Sequence, residues 1–215
     1  MTFKMENNLY IIGAGGFARE IYDYLSKTEY EYENYKLIGF LDDNVTQLDS
    51  FNTEHSIVGA LFNNNIPEGS TLIMGIANPN LKEKIYNFYN HLGIKFITYI
   101  HHSAVIGSYV EVADGCVICP NATLTTNIKI GLCTTINAHS SIGHDACVGD
   151  FSTLSGHCDI TGGVIVGNRV LFGSHVTVIP SKIIESDSIV GAGSVVIKKV
   201  KSGSTVFGNP AKKIN

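Results

Sequence analysis

A six-residue repeat fills the second half of this 215-residue chain. Large aliphatic side chains or Phe recur at every sixth position from Ile100 to Val196, seventeen times without a break in register. The residue two places earlier is mostly small, as at Cys116 and Ser152, and glycine often follows directly, as at Gly143. A period of six matches neither the roughly 3.6 of a helix nor the roughly 2 of a flat strand. It predicts a solenoid of short strands and corners, with the large side chain pointing inward and glycine supplying unusual backbone angles at the corners.

The composition excludes several functional classes. With a net charge of −4 and 16% charged residues, the chain has no basic pattern for nucleic acid. It has no apolar run of about 18 residues that would span a membrane, and its first nine residues hold no signal-peptide core. We therefore expect a cytoplasmic protein.

Five cysteines, all inside the repeat, make no disulfide framework, and we expect Cys116 and Cys158 to pack as small apolar side chains.

The first half of the chain opens with a strand, a glycine loop and a helix. Asn8–Ile12 is mostly apolar, Gly13, Gly15 and Gly16 follow it, and Phe17–Lys27 carries apolar residues at helical spacing. This order is typical of a nucleotide-binding βαβ unit, in which the helix N-terminus offers free N–H groups to phosphate. The third glycine of the common GxGxxG pattern is missing, so a tight strand–helix turn without a ligand is the alternative.

An acidic pair follows the second predicted strand. Tyr35–Leu41 ends at Asp42 and Asp43. Related folds bind ribose or a base edge at this place, although a solvated pair of loop carboxylates is the alternative.

A second helix is predicted over Leu81–His91. Its apolar spacing places Ile85, Tyr89 and Leu92 on the inner face. No Pro/Ser-rich linker separates the two halves of the chain, and we place the domain boundary near Thr98.

Four segments together resemble a known family. They are Gly13–Glu20 (GAGGFARE), Ile76–Ile85 (IANPNLKEKI), the six-residue repeat, and Gly208–Lys212 (GNPAK). The chain resembles the sialic-acid O-acetyltransferase, or NeuD-like, family of hexapeptide-repeat acetyltransferases. That family includes N-acetyltransferases of nucleotide-linked 4-amino-4,6-dideoxy sugars of the bacillosamine and perosamine type.

The resemblance implies an α/β Rossmann-like domain over residues 1–97, followed by an all-β, left-handed parallel β-helix acetyltransferase domain over residues 98–215. It also implies that the first domain binds the nucleotide sugar through the glycine loop and the acidic pair, namely Gly13, Gly15, Gly16, Phe17, Asp42 and Asp43.

One corner of the repeat carries a candidate general base. His144 and Asp145 fall outside the inward positions, and a neutral imidazole oriented by a carboxylate can take a proton from an attacking amine. The resembling N-acetyltransferases carry a catalytic His followed by Glu, so His144 matches, while Asp145 is one methylene shorter. One coil further on, Gly162 offers a backbone N–H to a developing oxyanion, although the pair Gly162-Gly163 also suits a tight corner.

The resemblance further implies a homotrimer whose acetyl-CoA site lies between the β-helices of neighbouring subunits. It implies no metal cofactor. By match, Thr153, Ser174 and Ala192 fall at the expected coenzyme contacts, although bacillosamine-type enzymes carry a His where this chain has Thr153. Lys198 belongs to a lysine-rich end that would attract the coenzyme phosphates or would simply cap the solenoid.

Three histidines are spaced by eighteen residues, at His139, His157 and His175, with Asn121 eighteen residues before them. This spacing predicts a vertical ladder of imidazoles on one face. Such a ladder lines a groove, binds a metal or stacks at the surface, including at a subunit contact.

The leading hypothesis is an acetyl-CoA-dependent N-acetyltransferase acting by direct attack on a UDP- or dTDP-linked 4-amino-4,6-dideoxy sugar. O-acetylation of a sialic-acid type sugar is the runner-up, and the sequence does not separate the two. A zinc lyase of the γ-carbonic-anhydrase type needs two His five apart and a third two coils earlier. His139 and His144 fit the first condition, but Ser103 stands at the third place. A sugar-nucleotide sensor without turnover is the non-catalytic alternative.

Overall fold

The computed structural model describes residues 7–27 and 34–214. They form two compact units, one from residues up to 77 together with 81–97, and the other from residue 98 onward together with 78–80. We call the first the N-terminal unit and the second the solenoid. Among the described residues, no helix combines the length and the apolar character that a bilayer crossing requires.

The N-terminal unit is a five-stranded parallel sheet in the order β3-β2-β1-β4-β5. Its strands are apolar because a parallel sheet buries both faces. The strand order reverses between β1 and β4, which is where doubly wound folds bind ligands. The Rossmann-like expectation is therefore confirmed. The elements are β1 (Asn7–Ile12), α1 (Gly16–Lys27), β2 (Tyr35–Leu41), β3 (Ile57–Gly59), β4 (Thr71–Met74), α2 (Pro79–His91) and β5 (Lys95–Phe96).

Helix α2 differs from its sequence prediction at the C-terminal end. Ile85 and Tyr89 are fully buried as expected, but Leu92 is 45% exposed. The helix ends at His91, and Gly93 turns the chain with a φ of +72°. Leu92 therefore lies beyond the helical periodicity that placed it on the inner face.

The solenoid consists of three sheets of short parallel strands, in the orders β7-β10-β13-β16-β19-β22, β8-β11-β14-β17-β20 and β6-β9-β12-β15-β18-β21-β23-β24. Partners in a ladder are eighteen residues apart, as in Thr123↔Ser141, so three hexads make one coil. The strands are β6 (Tyr99–Ile100), β7 (Val105–Ile106), β8 (Val110–Val112), β9 (Val117–Ile118), β10 (Thr123–Leu124), β11 (Ile128–Ile130), β12 (Thr135–Ile136), β13 (Ser141–Ile142), β14 (Cys147–Val148), β15 (Thr153–Leu154), β16 (Asp159–Ile160), β17 (Ile165–Val166), β18 (Leu171–Phe172), β19 (Thr177–Val178), β20 (Ile183–Ile184), β21 (Ile189–Val190), β22 (Val195–Val196), β23 (Thr205–Phe207) and β24 (Lys212–Lys213).

The repeat positions form the core of the solenoid. From Ile118 to Val196, every sixth side chain is at most 3% exposed, as predicted. Ile106, in the first coil, is 37% exposed because that coil has a neighbouring coil on one side only. The small inward residues are buried too, and Ser140 and Ser152 donate their hydroxyl hydrogens to main-chain carbonyls fifteen residues on. These bonds let a hydroxyl replace an alanine inside the coil without an unpaired polar group.

The cysteines pack as expected. None of the five is in a disulfide bond, and Cys116 and Cys158 are 0% and 1% exposed. Burial raises the pKa of the Cys158 thiol to about 11, so it stays protonated and behaves as a small apolar group.

The role expected of the corner glycines was wrong. The glycines that follow the large side chains do not have positive φ; they allow successive coils to approach closely. A Cβ on Gly107 would collide with the carbonyl oxygen of Thr125, and one on Gly143 would lie 2.5 Å from the amide nitrogen of Gly162. Positive φ occurs two residues later, and the non-glycine residues there have φ between 49° and 62°: Tyr109, Asn121, Asn127, Cys133, His139, Asp145, Phe151, His157, Arg169, His175, Ser181 and Asp187. We call this place in the hexad the left-handed position.

The repeat ends where the coil shortens. Ile189 pairs with Thr205, sixteen residues on instead of eighteen, and β24 then runs antiparallel to β23. The lysine-rich tail closes the solenoid at this end.

Candidate active site

His144 and Asp145 lie at one corner of the solenoid, which we call the site corner (residues 126–127, 144–145 and 162–163). The Nδ1 atom of His144 is 2.7 Å from Oδ2 of Asp145. The two side chains are 67% and 57% exposed. The shorter carboxylate therefore reaches the imidazole, which answers the question raised by Asp in place of Glu.

This contact fixes which ring nitrogen of His144 is free. An ionised carboxylate only accepts hydrogen bonds, so Nδ1 carries the hydrogen that faces Asp145. In the neutral imidazole, Nε2 then holds the lone pair and can accept a proton.

The second oxygen of Asp145 is held from the coil below. Nδ2 of Asn127 lies 2.6 Å from Oδ1 of Asp145. Hydrogen bonds from Asn127 first, and from His144 second, lower the pKa of Asp145 below its usual value. Sequence reasoning did not find Asn127; the available signal was its spacing of eighteen residues from Asp145.

Gly162 lies directly against the imidazole. A Cβ at Gly162 would be 2.5 Å from Nε2 and 2.6 Å from Cε1 of His144, so no larger residue fits there without moving the ring. The N–H of Gly163 donates to the carbonyl oxygen of His144 at 2.8 Å, which ties the two coils together. Within residues 7–27 and 34–214, the N–H of Gly162 donates to no protein group.

A second corner, the ladder corner (residues 138–139, 156–157, 174–175 and 192–193), carries the three spaced histidines. The rings of His139 and His157 are 4.9 Å apart and tilted by 8°, and those of His157 and His175 are 4.7 Å apart and tilted by 4°. The predicted ladder is confirmed. In the described part of the chain, no group of three or more His, Cys, Asp or Glu side chains is arranged to hold a metal.

The glycine loop in the N-terminal unit follows β1 at the sheet edge where the strand order reverses. Gly13 has a φ of +85° and donates its N–H to the carbonyl oxygen of Leu41 at 2.7 Å. Gly15 and Gly16 have open space where a side chain would be, and Phe17 is half-buried in the first turn of α1. The first N–H groups of a helix have no intrahelical acceptor, so this end can receive an anionic ligand.

The acidic pair braces the loops around it. Asp42 accepts hydrogen bonds from the N–H of Ala14 at 2.7 Å and of Asn44 at 2.9 Å, one on each oxygen. Asp43 accepts one from the N–H of Leu61 at 3.0 Å. Asp42 therefore holds the glycine loop in place. Asp43 uses one carboxylate oxygen to accept a main-chain hydrogen bond.

The four residues expected at a coenzyme site have different surroundings. Ser174 and Ala192 are exposed at the ladder corner, whereas Thr153 on β15 is 3% exposed. Lys198 lines a cleft of about 540 Å³ at the end of the solenoid. Five lysines line this cleft: Lys198, Lys199, Lys201, Lys212 and Lys213.

One of these lysines is neutralised. Nζ of Lys199 pairs with Oε1 of Glu185 at 2.5 Å. Hydrogen bonds from Lys199 first, and from the N–H of Ser202 second, lower the pKa of Glu185 below its usual value. The cleft nevertheless keeps an excess of positive charge that suits a polyanion.

Known proteins resemble both units. The PglD N-terminal domain family matches residues 8–89. The GDP-perosamine N-acetyltransferase of Escherichia coli O157:H7 is 28% identical over 147 residues, which cover 66% of each chain. The putative acetyltransferase YvoF of Bacillus subtilis (strain 168) is 34% identical over 87 residues, 40% of this chain and 43% of that protein. These matches therefore span 66% or less of each relative.

Solved structures match almost the whole chain. PerB from Caulobacter crescentus, in complex with CoA and GDP-perosamine, has a TM-score of 0.86 at 26% identity and covers 97% of this chain and 98% of its own. WeeI from Acinetobacter baumannii AYE has a TM-score of 0.85 at 26% identity, over 96% of this chain and 99% of its own. The family model thus covers the N-terminal unit, and the likeness to PerB extends over both that unit and the solenoid, in the same order along the chain.

Proposed function

We propose that this protein is an acetyl-CoA-dependent N-acetyltransferase. Its substrate is the amino group of a nucleotide-linked 4-amino-4,6-dideoxy sugar. The observation that carries the proposal is the His144–Asp145 pair, with Nε2 lying over Gly162. The whole-length likeness to PerB, which was solved with CoA and GDP-perosamine, supports the substrate class.

In the proposed reaction, the sugar amine attacks the thioester carbonyl directly. A carbon–nitrogen bond forms, and Nε2 of His144 takes the proton that the amine loses. As the tetrahedral intermediate collapses, the carbon–sulfur bond breaks and the proton passes to the coenzyme sulfur. Asp145 stabilises the imidazolium that exists between these steps.

The N–H of Gly162 is the candidate donor to the oxyanion. Its position against Nε2 supports this role, because the oxyanion and the base must both lie near the carbonyl carbon. Within the described chain, that N–H has no protein acceptor, which leaves it available for the intermediate.

The nucleotide part of the substrate is assigned to the N-terminal unit. The N-terminal end of α1, where Gly16 is exposed and Gly15 and Phe17 are half-buried, suits the diphosphate. Asp43 is the more available carboxylate for a ribose or base edge, since Asp42 has both oxygens on main-chain N–H groups. The sequence pointed to UDP or dTDP, and the perosamine relatives add GDP to the candidates.

The coenzyme is assigned to the solenoid. Ser174 and Ala192 are exposed and lie one residue before the left-handed position, and Lys198 belongs to the lysine cleft that suits phosphates. Thr153 is buried, so the proposal does not depend on its side chain. We expect a homotrimer in which neighbouring solenoids share this site.

A thiol-release assay tests the proposal. Purified protein is incubated with acetyl-CoA and GDP-, UDP- and dTDP-linked 4-amino-4,6-dideoxy sugars, and the product is checked by mass for an N-acetyl group. His144→Ala is expected to lower kcat by about 10²–10⁴-fold, the usual contribution of a general base. His139→Asn is the matched control, because it removes an exposed imidazole at the ladder corner and keeps a residue type that tolerates positive φ.

Two results would contradict the proposal. Absence of thiol release with every amino sugar would remove the acetyltransferase assignment. Equal rates for the native protein and His144→Ala would remove His144 from the mechanism and leave the fold-level assignment in place.

A further inference from the structure

We propose that Asn127 is a positioning residue for the proposed base: it holds Asp145 in the orientation that aligns His144. This inference rests on the proposed function. Asn127 stands one coil below Asp145 and acts on the imidazole only through that carboxylate.

The contact joins two left-handed positions of the same corner. Asn127 and Asp145 have φ values of 54° and 62°, and eighteen residues separate them, so their side chains leave successive coils in the same direction. Nδ2 of Asn127 is 2.6 Å from Oδ1 of Asp145. A carboxylate only accepts hydrogen bonds, so the amide of Asn127 must present its NH₂ group here.

The backbones on both sides of this contact are fixed. The N–H of Asn127 donates to the carbonyl oxygen of Ser108 at 3.1 Å, and the hydroxyl of Thr126 donates to the same oxygen at 2.8 Å. The N–H of Asp145 donates to the carbonyl oxygen of Thr126 at 3.2 Å. The two side chains therefore stand on a rigid frame, and the hydrogen bond between them needs little further ordering.

Asp145 needs such a partner because it is exposed. Its side chain is 57% accessible, so an unheld carboxylate can rotate towards water and lose the 2.7 Å contact with Nδ1 of His144. With Oδ1 bound to Asn127, Oδ2 faces the ring. The same hydrogen bond is the main cause of the lowered pKa of Asp145, so it also keeps the carboxylate ionised as the pH falls.

Other corners use the left-handed position differently. At the third corner (residues 150–151, 168–169 and 186–187), Nε of Arg169 pairs with Oδ1 of Asp187 at 2.7 Å. At the ladder corner, the residues there are stacked imidazoles. At the site corner, the left-handed positions hold Asn127 and Asp145, and Asp145 is the carboxylate that contacts His144.

Asn127→Gly is the test variant. Glycine adopts positive φ readily, so the substitution removes the amide and keeps the backbone. We expect kcat to fall by about tenfold with KM unchanged, since the loss is in alignment and not in substrate binding. Asn121→Gly is the matched control: Asn121 is exposed, has a φ of 57° and lies one coil before His139, away from the site corner.

A substrate-free measurement accompanies the kinetics. In a carboxyl ¹³C NMR titration, the pKa of Asp145 should rise in Asn127→Gly towards the ordinary Asp value and stay unchanged in Asn121→Gly. A purely structural role for Asn127 would lower stability without moving this titration.

A double-mutant cycle completes the test. If Asn127 acts through Asp145, then adding Asn127→Gly to Asp145→Asn should cause no further loss of kcat. Losses that multiply, full activity of Asn127→Gly, or an unchanged Asp145 titration would each overturn the inference. If the native protein shows no turnover, the proposed function and the role of Asn127 in it both fail, while a shifted titration would still establish the contact.

Discussion

The site corner and the ladder corner are built by the same repeat and use histidine in opposite ways. At the ladder corner, the imidazoles occupy the left-handed position and stack at 4.7–4.9 Å. At the site corner, the imidazole of His144 stands one residue earlier, Asp145 takes the left-handed position, and the next coil presents Gly162. The position of the histidine therefore differs by one residue within the hexad. At the ladder corner this gives a stacked ring, and at the site corner it gives a ring with a carboxylate on Nδ1 and Gly162 beside Nε2.

The largest expected effect on kcat comes from substituting Gly162, the residue that lies beside His144 at the site corner. Gly162→Ala would put a Cβ 2.5 Å from Nε2 of His144, so the ring must leave its place. Gly162 does not have a positive φ, so alanine suits the backbone and the fold should persist. We expect kcat to fall by about 10²-fold, as for a displacement of a reacting group by about 1 Å. Thiol-release kinetics and the melting temperature measure the two effects separately.

Gly156→Ala is the matched control for this variant. Gly156 has the same place in its hexad at the ladder corner, and a Cβ there would be 3.4 Å from its nearest neighbour, the carbonyl oxygen of Ala138. Alanine is therefore accommodated, and the melting temperature should match the native value. If Gly162→Ala kept full activity, the close contact with His144 would have no catalytic meaning.

The architecture of the solenoid could be predicted because one apolar residue per hexad is enough to mark each inward position. The left-handed position carries no such mark: it accepts Tyr, Asn, Cys, His, Asp, Phe, Arg and Ser alike. A pairing such as Asn127 with Asp145 is therefore invisible until the coils are stacked. The sequence analysis explained the corner glycines by positive φ, but the structure shows that they are needed because there is no room for a side chain. A glycine in a sequence is compatible with either requirement, so the two could not be distinguished.

In the N-terminal unit too, the sequence predicted the motifs but not the hydrogen bonds between them. The glycine loop and the acidic pair were found from the sequence, since strand, glycine loop and helix start leave a readable order. The hydrogen bonds from Ala14 and Asn44 to Asp42 were not, because they depend on how the loops after β1 and β2 meet. The candidate ligand residue thus proved to be partly a structural brace.

An effect of intermediate size, on stability, is expected from the ion pair between Arg169 and Asp187 at the third corner. The hydrogen bond from Arg169 lowers the pKa of Asp187. The Asp187 side chain is 42% exposed, so screening by solvent limits the contribution of the pair to about 0.5–1 kcal/mol of unfolding free energy. Asp187→Asn should lose this amount at pH 7 without a change in kcat, because the pair stabilises the coil and does not contact His144.

The pH dependence of that difference follows from the sign of the pKa shift. A carboxyl whose folded pKa is lowered contributes its stability above the ordinary Asp value of about 3.9, and the contribution is lost as the pH falls through the lower folded value. Denaturant unfolding of native protein and Asp187→Asn should therefore give a constant difference from pH 7 to about pH 5, which then shrinks as the pH falls below the ordinary Asp value of about 3.9. A difference that does not shrink at all below the ordinary Asp value would mean that the charge of Asp187 is not its cause.

The smallest expected effect concerns the ladder itself. His157 is the middle ring and is exposed, and asparagine tolerates the positive φ of 60° that this position requires. His157→Asn should therefore change the unfolding free energy by no more than about 0.5 kcal/mol and leave the kcat of thiol release unchanged. A loss of several kcal/mol would show that the stacked rings hold the coils together. A loss of kcat like that expected for His144→Ala would place the ladder histidines in the acetyl transfer itself, beyond the coenzyme contacts proposed at this corner for Ser174 and Ala192.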